Sequence, residues 1–310
     1  MIVSRKLGIA FAILLFACGP ALANPALWVV KSPTATVYLF GTIHVLPKGV
    51  HWHYPLLDRA LAASGSLYVE EDDSSRSKMT TLILKYGVNP LDRANLESLL
   101  EGYPVYRPYI LDGRPSSYMA PPINATKLNM AARRADLPVA TLKEMRPWIA
   151  ALALSVASTD SSGYQPQFGA DTEIEREFKA DHKPVHSFET TREQIDFFAD
   201  LPLPTQLELL QTVLDQRTRG TVQAAELARD WQGGDTSAIA DAVLSQMRND
   251  HPEVYEVLLL DRNRKWAQQI ADLLKQHGTV FVAVGAGHLT GPGSVQAQLD
   301  MLGIKTLRLH

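Results

Sequence analysis

Residues 36–47 read TVYLFGTIHVLP. The first five are β-branched and aromatic with no polar alternation, which predicts a strand buried on both faces. Gly41 ends that strand, and His44 follows three residues later. The same ending recurs far along the chain: residues 279–288 read TVFVAVGAGH, where Gly285 ends an apolar run and His288 follows three residues later. Histidine is rare, nine in 310 residues, so one ending for two distant strands is the feature to explain. A glycine at the end of each strand lets the backbone turn sharply and approach closely to whatever lies there.

Outward from these two runs, short strands are expected at 66–70, 137–142, 184–188 and 304–309. Helices are expected near 55–64, 190–199, 205–217, 221–232 and 253–277. Near-continuous apolar strands separated by helices predict an α/β fold, a central mixed sheet covered by helices on both faces. Residues 190–277 read as a helical insertion, with proline and glycine only at its joints. The two Gly-x-x-His turns are compatible with pseudo-duplicated halves.

Ligands of open α/β sheets bind beyond the carboxyl ends of the strands. His44, Glu70 and His288 all fall at such ends. Two imidazoles and a carboxylate form a familiar ligand set for a divalent metal. They also form an acid–base set without one. A single Gly-x-x-His after a strand is ordinarily a turn with a hydrogen-bonded histidine, so the three residues make a site only if they converge.

Glu70 continues its strand directly, with Tyr68 and Asp72 on the same side, while Asp73 reads as a helix cap. On the 253–277 helix, Val254, Leu258, Arg262, Trp266 and Ile270 recur every four residues along one stripe. A guanidinium on an apolar stripe needs an anionic partner. That partner is a substrate carboxylate or oxyanion, Glu70, or an ion pair elsewhere, unless the guanidinium snorkels to water. Glu189 ends the 184–188 strand and is aimed at the same sheet edge. Thr190 and Glu193 after it have capping-box spacing.

His51-Trp52-His53 has the alternation of a ligand pair, but the sequence supplies no third ligand nearby, so a surface loop is expected. Asp171, after Gly169-Ala170, reads as a helix cap. No Gly-x-Ser-x-Gly elbow, phosphate-binding loop or dinucleotide glycine fingerprint occurs.

The first 23 residues have the order of an export leader: Arg5 and Lys6, an uncharged apolar run over 7–17, then Ala21-Leu22-Ala23 as the cleavage pattern. Asn24 is then the expected mature start, and the bacterial periplasm the expected compartment. Lipidation at Cys18 is a second export reading, ranked lower because Phe16 fits its pattern poorly. Cys18 is the only cysteine, so cleavage after Ala23 would leave no disulfide or thiolate site. Loss of Arg5 and Lys6 from the 30 basic residues, against 33 acidic ones, would give a net charge of about −5. There is no basic cluster to suggest nucleic acid. No later apolar run approaches the roughly 20 residues of a membrane span.

Eight short motifs in order carry a resemblance. They are GTIHVLP (41–47), LYVEED (67–72), RPW (146–148), FGAD (168–171), KPVHSFET (183–190), DWQGGD (230–235), DRNRKWA (261–267) and VAVGAGHLTGPGSV (282–295). The chain resembles the TraB/GumN family, related to the TIKI metalloproteases, from about residue 28 to the end, as one domain over 24–310. The resemblance implies an α/β fold of paired halves. It implies His44, His288 and Glu70 as the active-site signature and metal ligands. Arg262 and Asn263 correspond to its arginine and asparagine, with an expected role in oxyanion stabilisation or substrate orientation. TIKI relatives are manganese- or cobalt-dependent proteases, so a divalent metal is the expected cofactor. More distant relatives are erythromycin esterases and a haem-binding lipoprotein. Phe188 stands where relatives often carry leucine. The expected function is a periplasmic metal-dependent hydrolase of a peptide, small ester or amide. The alternatives are a metal-independent esterase-like hydrolase and a non-enzymatic metal- or haem-binding protein.

Overall fold

A computed structural model describes residues 24–71, 76–88, 95–101, 106–111, 114–119, 123–160, 163–216, 220–250 and 252–310. The expected leader with Cys18, and both Asp72 and Asp73, lie outside them. The described strands are β1 (Leu27–Lys31), β2 (Ala35–Thr42), β3 (Leu46–Pro47), β4 (Ser66–Val69), β5 (Tyr106–Leu111), β6 (Arg114–Met119), β7 (Tyr164–Gln165), β8 (Val185–Ser187), β9 (Gly278–Gly285) and β10 (Leu307–Arg308). Six form one sheet in the order β10-β1-β2-β9-β4-β8. The four from β2 to β8 are mutually parallel, while β1 pairs antiparallel with β2 and β10. The sheet is therefore mixed, as expected, and its two glycine-terminated strands are direct neighbours. Gly41 lies opposite Val284 and Thr42 opposite Gly285.

Alternation along the strands sends successive side chains to opposite faces. Phe40, Leu67, Phe281 and Ala283 face one core, with Leu57 and Leu61 of the helix Pro55–Ala63 and Ile174 and Phe178 of the helix Ala170–Ala180. Leu39, Val282 and Val284 face the other, with Trp266 and Ile270 of the helix Asp261–Leu273 and Leu299 of the helix Val295–Met301. Burial on both faces is why these strands lack a polar stripe.

Between β8 and β9 the described chain is helical, beginning at Thr190, whose capping box with Glu193 starts the helix Thr191–Ala199. Helices from both sides of β8 in the chain also pack against one another. Leu128, Leu154 and Leu210 share a third core away from the sheet. The strand expected at 137–142 is absent: Val139–Lys143 is a short helix. Val139 and Thr141 favour strands locally, but the chain is extended only as far as Pro138, the N-cap at φ −63° and ψ 124°, and is helical from Val139. Leu142 is then buried in the helical core, and that packing overrides the propensity. The strand expected at 304–309 is reduced to Leu307–Arg308.

Candidate active site at the carboxyl edge of the sheet

Each of the four parallel strands delivers one polar side chain just past its carboxyl end. β2 is followed by His44, β9 by His288, β4 by Glu70 and β8 by Glu189. The main chain prolongs the β4–β8 pairing, since Glu189 N–H donates to the Glu70 carbonyl at 3.0 Å. Both carboxylates are thereby fixed at the sheet edge.

The three expected residues converge on Gly285. A Cβ placed there would lie 3.0 Å from Glu70 Oε1, 3.5 Å from His44 Nε2 and 3.8 Å from His288 Cδ2. Its backbone N–H donates to Glu70 Oε1 at 2.7 Å, and His288 Nε2 is 3.9 Å from the same oxygen. This glycine is required by close approach, since its φ of −51° is open to any residue.

Arg262 resolves the question its apolar stripe raises. Its guanidinium donates to Glu70 Oε2 at 2.6 Å and to both oxygens of Glu189, at 2.8 and 2.9 Å. It also donates to the Leu258 carbonyl at 3.2 Å and faces His288 Nε2 at 3.2 Å. All five guanidinium N–H groups are thus engaged. Trp266 supports the set from below. Its ring stacks under the guanidinium at 4.8 Å and its indole N–H donates to Glu189 at 2.9 Å. A π-helical turn, Glu256–Leu260, immediately precedes Arg262, the kind of local widening that recurs at functional sites.

Asn263 is fully buried. Its amide donates to the Gly293 carbonyl at 2.8 Å, and its Oδ1 lies 2.6 Å from His288 Nδ1. The Arg262 donor at Nε2 leaves Nδ1 as the protonated ring nitrogen of His288. Arg262 and Asn263 therefore hold the neighbouring side chains in place, and their donors are engaged within the protein in this arrangement.

Asp171 is the residue sequence reasoning missed. The N-cap of the helix Ala170–Ala180 is Gly169, with no side-chain cap. Asp171, in the first turn, instead meets His44 Nδ1 at 2.9 Å. Ala170 N–H donates to the Ile43 carbonyl at 2.9 Å, and any side chain at Gly169 would run into the His44 carbonyl. The helix start thus grips the 43–44 loop from main chain and side chain together. The only sequence signal was the appearance of FGAD among the ordered motifs.

Charge follows this geometry. The surrounding protein disfavours the imidazolium of His44, but the Asp171 hydrogen bond and charge, then Glu70, override it and raise the pKa to about 9. The side chain is 62% exposed, so water screens part of this pull. Desolvation dominates at His288 and lowers its pKa to about 3, keeping the ring neutral. Desolvation opposes ionisation of Glu70, but His288, Arg262, His44 and the Gly285 N–H hold it well below the usual carboxylate range. Burial pushes Glu189 upward against the pull of Arg262.

These states suit a divalent cation. Glu70 is ionised and His288 neutral, as ligands must be. Each imidazole is clamped through Nδ1 by a side-chain oxygen, the support that metal-ligating histidines receive. The donor types suit a metal held by His44, Glu70 and His288, with three adjustments. Arg262 must release His288 Nε2, and His44 must lose the proton that Asp171 favours. The three side chains must also draw closer, since their ligand atoms do not all lie within 4.8 Å of one another.

His51-Trp52-His53 is a loop, as expected, but Trp52 is buried and His53 meets acidic side chains of a neighbouring helix. Glu173 and Glu177 reach His53 from the distant helix Ala170–Ala180.

An α/β sheet with two clamped imidazoles and an ionised glutamate at its carboxyl edge defines a protein whose site is built from strand ends. The sequence pattern of the TraB/PrgY/gumN family matches residues 26–308, and the chain belongs to that family. An uncharacterised protein of Treponema pallidum (strain Nichols) is 23% identical over 283 residues, covering 86% of this chain and 78% of its own length. The uncharacterised protein YbaP of Escherichia coli (strain K12) is 26% identical over 152 residues, 49% of this chain and 55% of its own. No solved structure matches the chain. Among the described residues, no helix is long and apolar enough to cross a membrane.

Proposed function

We propose that the chain is a metal-dependent hydrolase of a peptide, ester or amide bond, with manganese or cobalt as the candidate ion. The leader-like first 23 residues support the bacterial periplasm as its compartment. One observation carries the reading: both imidazoles are clamped through Nδ1, by Asp171 and by Asn263, beside the ionised Glu70. His44, Glu70 and His288 would hold the ion, which when bound lowers the pKa of water and polarises a carbonyl. Asp171 and Asn263 set the ring orientations. Arg262 holds Glu70 in place, and its fixed charge sits beside the reacting centre.

A metal-independent esterase-like hydrolase is the second reading, favoured by the contact between Arg262 and His288 Nε2. In it, the ionised Glu70 would take a proton from the attacking water, and the protonated His44 would give one from Nε2 to the leaving oxygen or nitrogen. The test is hydrolysis of a peptide and ester panel by chelator-treated protein, before and after adding Mn²⁺ or Co²⁺. Activity lost on chelation and restored by the ion is expected. Full activity after chelation would install the second reading. Stoichiometric metal without any hydrolysis would leave a binding protein.

A further inference from the structure

We propose a second divalent-cation site, separate from the carboxyl-edge site, formed by His53, Glu173 and Glu177. One ligand atom from each lies within 4.8 Å of the other two. His53 comes from the loop before the helix Pro55–Ala63, and the glutamates lie one turn apart on the helix Ala170–Ala180. Three features give this cluster the character of a built site.

First, the imidazole is aimed. His53 Nδ1 lies 2.7 Å from Asp58 Oδ1, which leaves Nε2 toward the glutamates, 3.5 Å from Glu177 and 4.0 Å from Glu173. A carboxylate behind a histidine facing two more carboxylates is the support pattern of metal-ligating imidazoles. Second, the loop is anchored. Trp52 is 3% exposed, wedged against Phe40 and Trp231, and its ring packs 4.1 Å from that of His53. Third, the negative charge has no lysine or arginine partner among the described residues: Lys179 pairs with Glu175, and Lys183 with Asp181. Like charges one helical turn apart repel, and Asp58 adds a third. The crowding also raises the Glu177 pKa, burial first and then Glu173, Asp58 and Asp181, against His53.

One imidazole and two carboxylates with open positions for water suit a first-row divalent ion such as Zn²⁺. Bound there, it would tie the His53 loop to the helix whose first turn carries Asp171. It would act as a clasp on one wall of the active site, with no part in the chemistry.

The experiment measures Zn²⁺ affinity and melting temperature of chelated protein, all in a His44→Ala background to weaken the first site. The expected result is a melting temperature that rises with Zn²⁺, with affinity falling tenfold or more in His53→Gln and in Glu177→Gln. Without metal, Glu177→Gln should melt at the same temperature or higher, because it relieves repulsion. Zn²⁺ affinity unchanged in both variants, or no Zn²⁺-dependent rise in the His44→Ala parent, would overturn the site. So would a metal-free melting loss in Glu177→Gln, which would mark a plain ion pair with protonated His53.

Discussion

At the residue scale, the decisive pair is one the local sequence does not announce. His44 and Asp171 are 127 positions apart, and only the docking of a helix start under the 43–44 loop joins them. Asp171→Asn keeps an oxygen for the Nδ1 hydrogen bond but removes the charge. In metal-free protein the His44 titration midpoint should therefore fall from about 9 toward 6.5, read from its ring proton by NMR. Metal affinity at the carboxyl edge should fall about 10–100-fold, the usual effect of losing a supporting carboxylate. A midpoint unmoved by Asp171→Asn would remove Asp171 from the site. The raised pKa contributes stability that is complete below about 6.5 and lost as pH rises through about 9. With the ring 62% exposed, that contribution is small.

At the element scale, the helix bearing Arg262 locks the sheet edge. Glu189 is fully excluded from solvent and Arg262 nearly so, so removing Glu189 leaves Arg262 with Glu70 as its remaining carboxylate partner. Glu189→Gln should destabilise the fold by about 1–3 kcal/mol, the cost of losing hydrogen bonds to a charged group, measured by urea unfolding. A double variant adding Arg262→Gln should lose less than the sum of the two single changes; additive losses would show that the pair is not coupled. The sequence already contained much of this. Arg262 breaking a four-residue apolar rhythm pointed to an anionic partner or to snorkelling to water, and the fold supplies the partners Glu70 and Glu189. The strand-end positions of His44, Glu70, Glu189 and His288 were equally legible, since the runs before them are local, with a terminating glycine ahead of each histidine. Three things were not legible. Asp171 meets His44 only in three dimensions. Residues 137–142 carry strand-favouring side chains that a helical core recruits. The acidic partners of His53 arrive from a distant helix.

At the scale of the whole molecule, the two Gly-x-x-His endings form one site because β2 and β9 are adjacent and parallel. A site seated in the sheet ties its protonation to the stability of the entire fold. His288 is 9% exposed and faces Glu70, Arg262 and His44. Its folded pKa of about 3 lies below the unfolded 6.5. Below pH 6.5 the unfolded chain therefore takes up a proton that the folded chain refuses. The contribution is complete above 6.5 and is lost as pH falls toward 3, on the order of 4 kcal/mol over that span. Glu70, held low, adds a further loss only once pH enters the ordinary carboxylate range. Metal-free protein should thus begin to lose stability near pH 6.5, well before its carboxylates protonate. In His288→Gln that early phase should vanish, leaving only the acid-range loss. The check is melting temperature against pH for both proteins without metal. Identical profiles between pH 6.5 and 4.5 would mean that the His288 ring is already charged, or already exposed, in the folded chain.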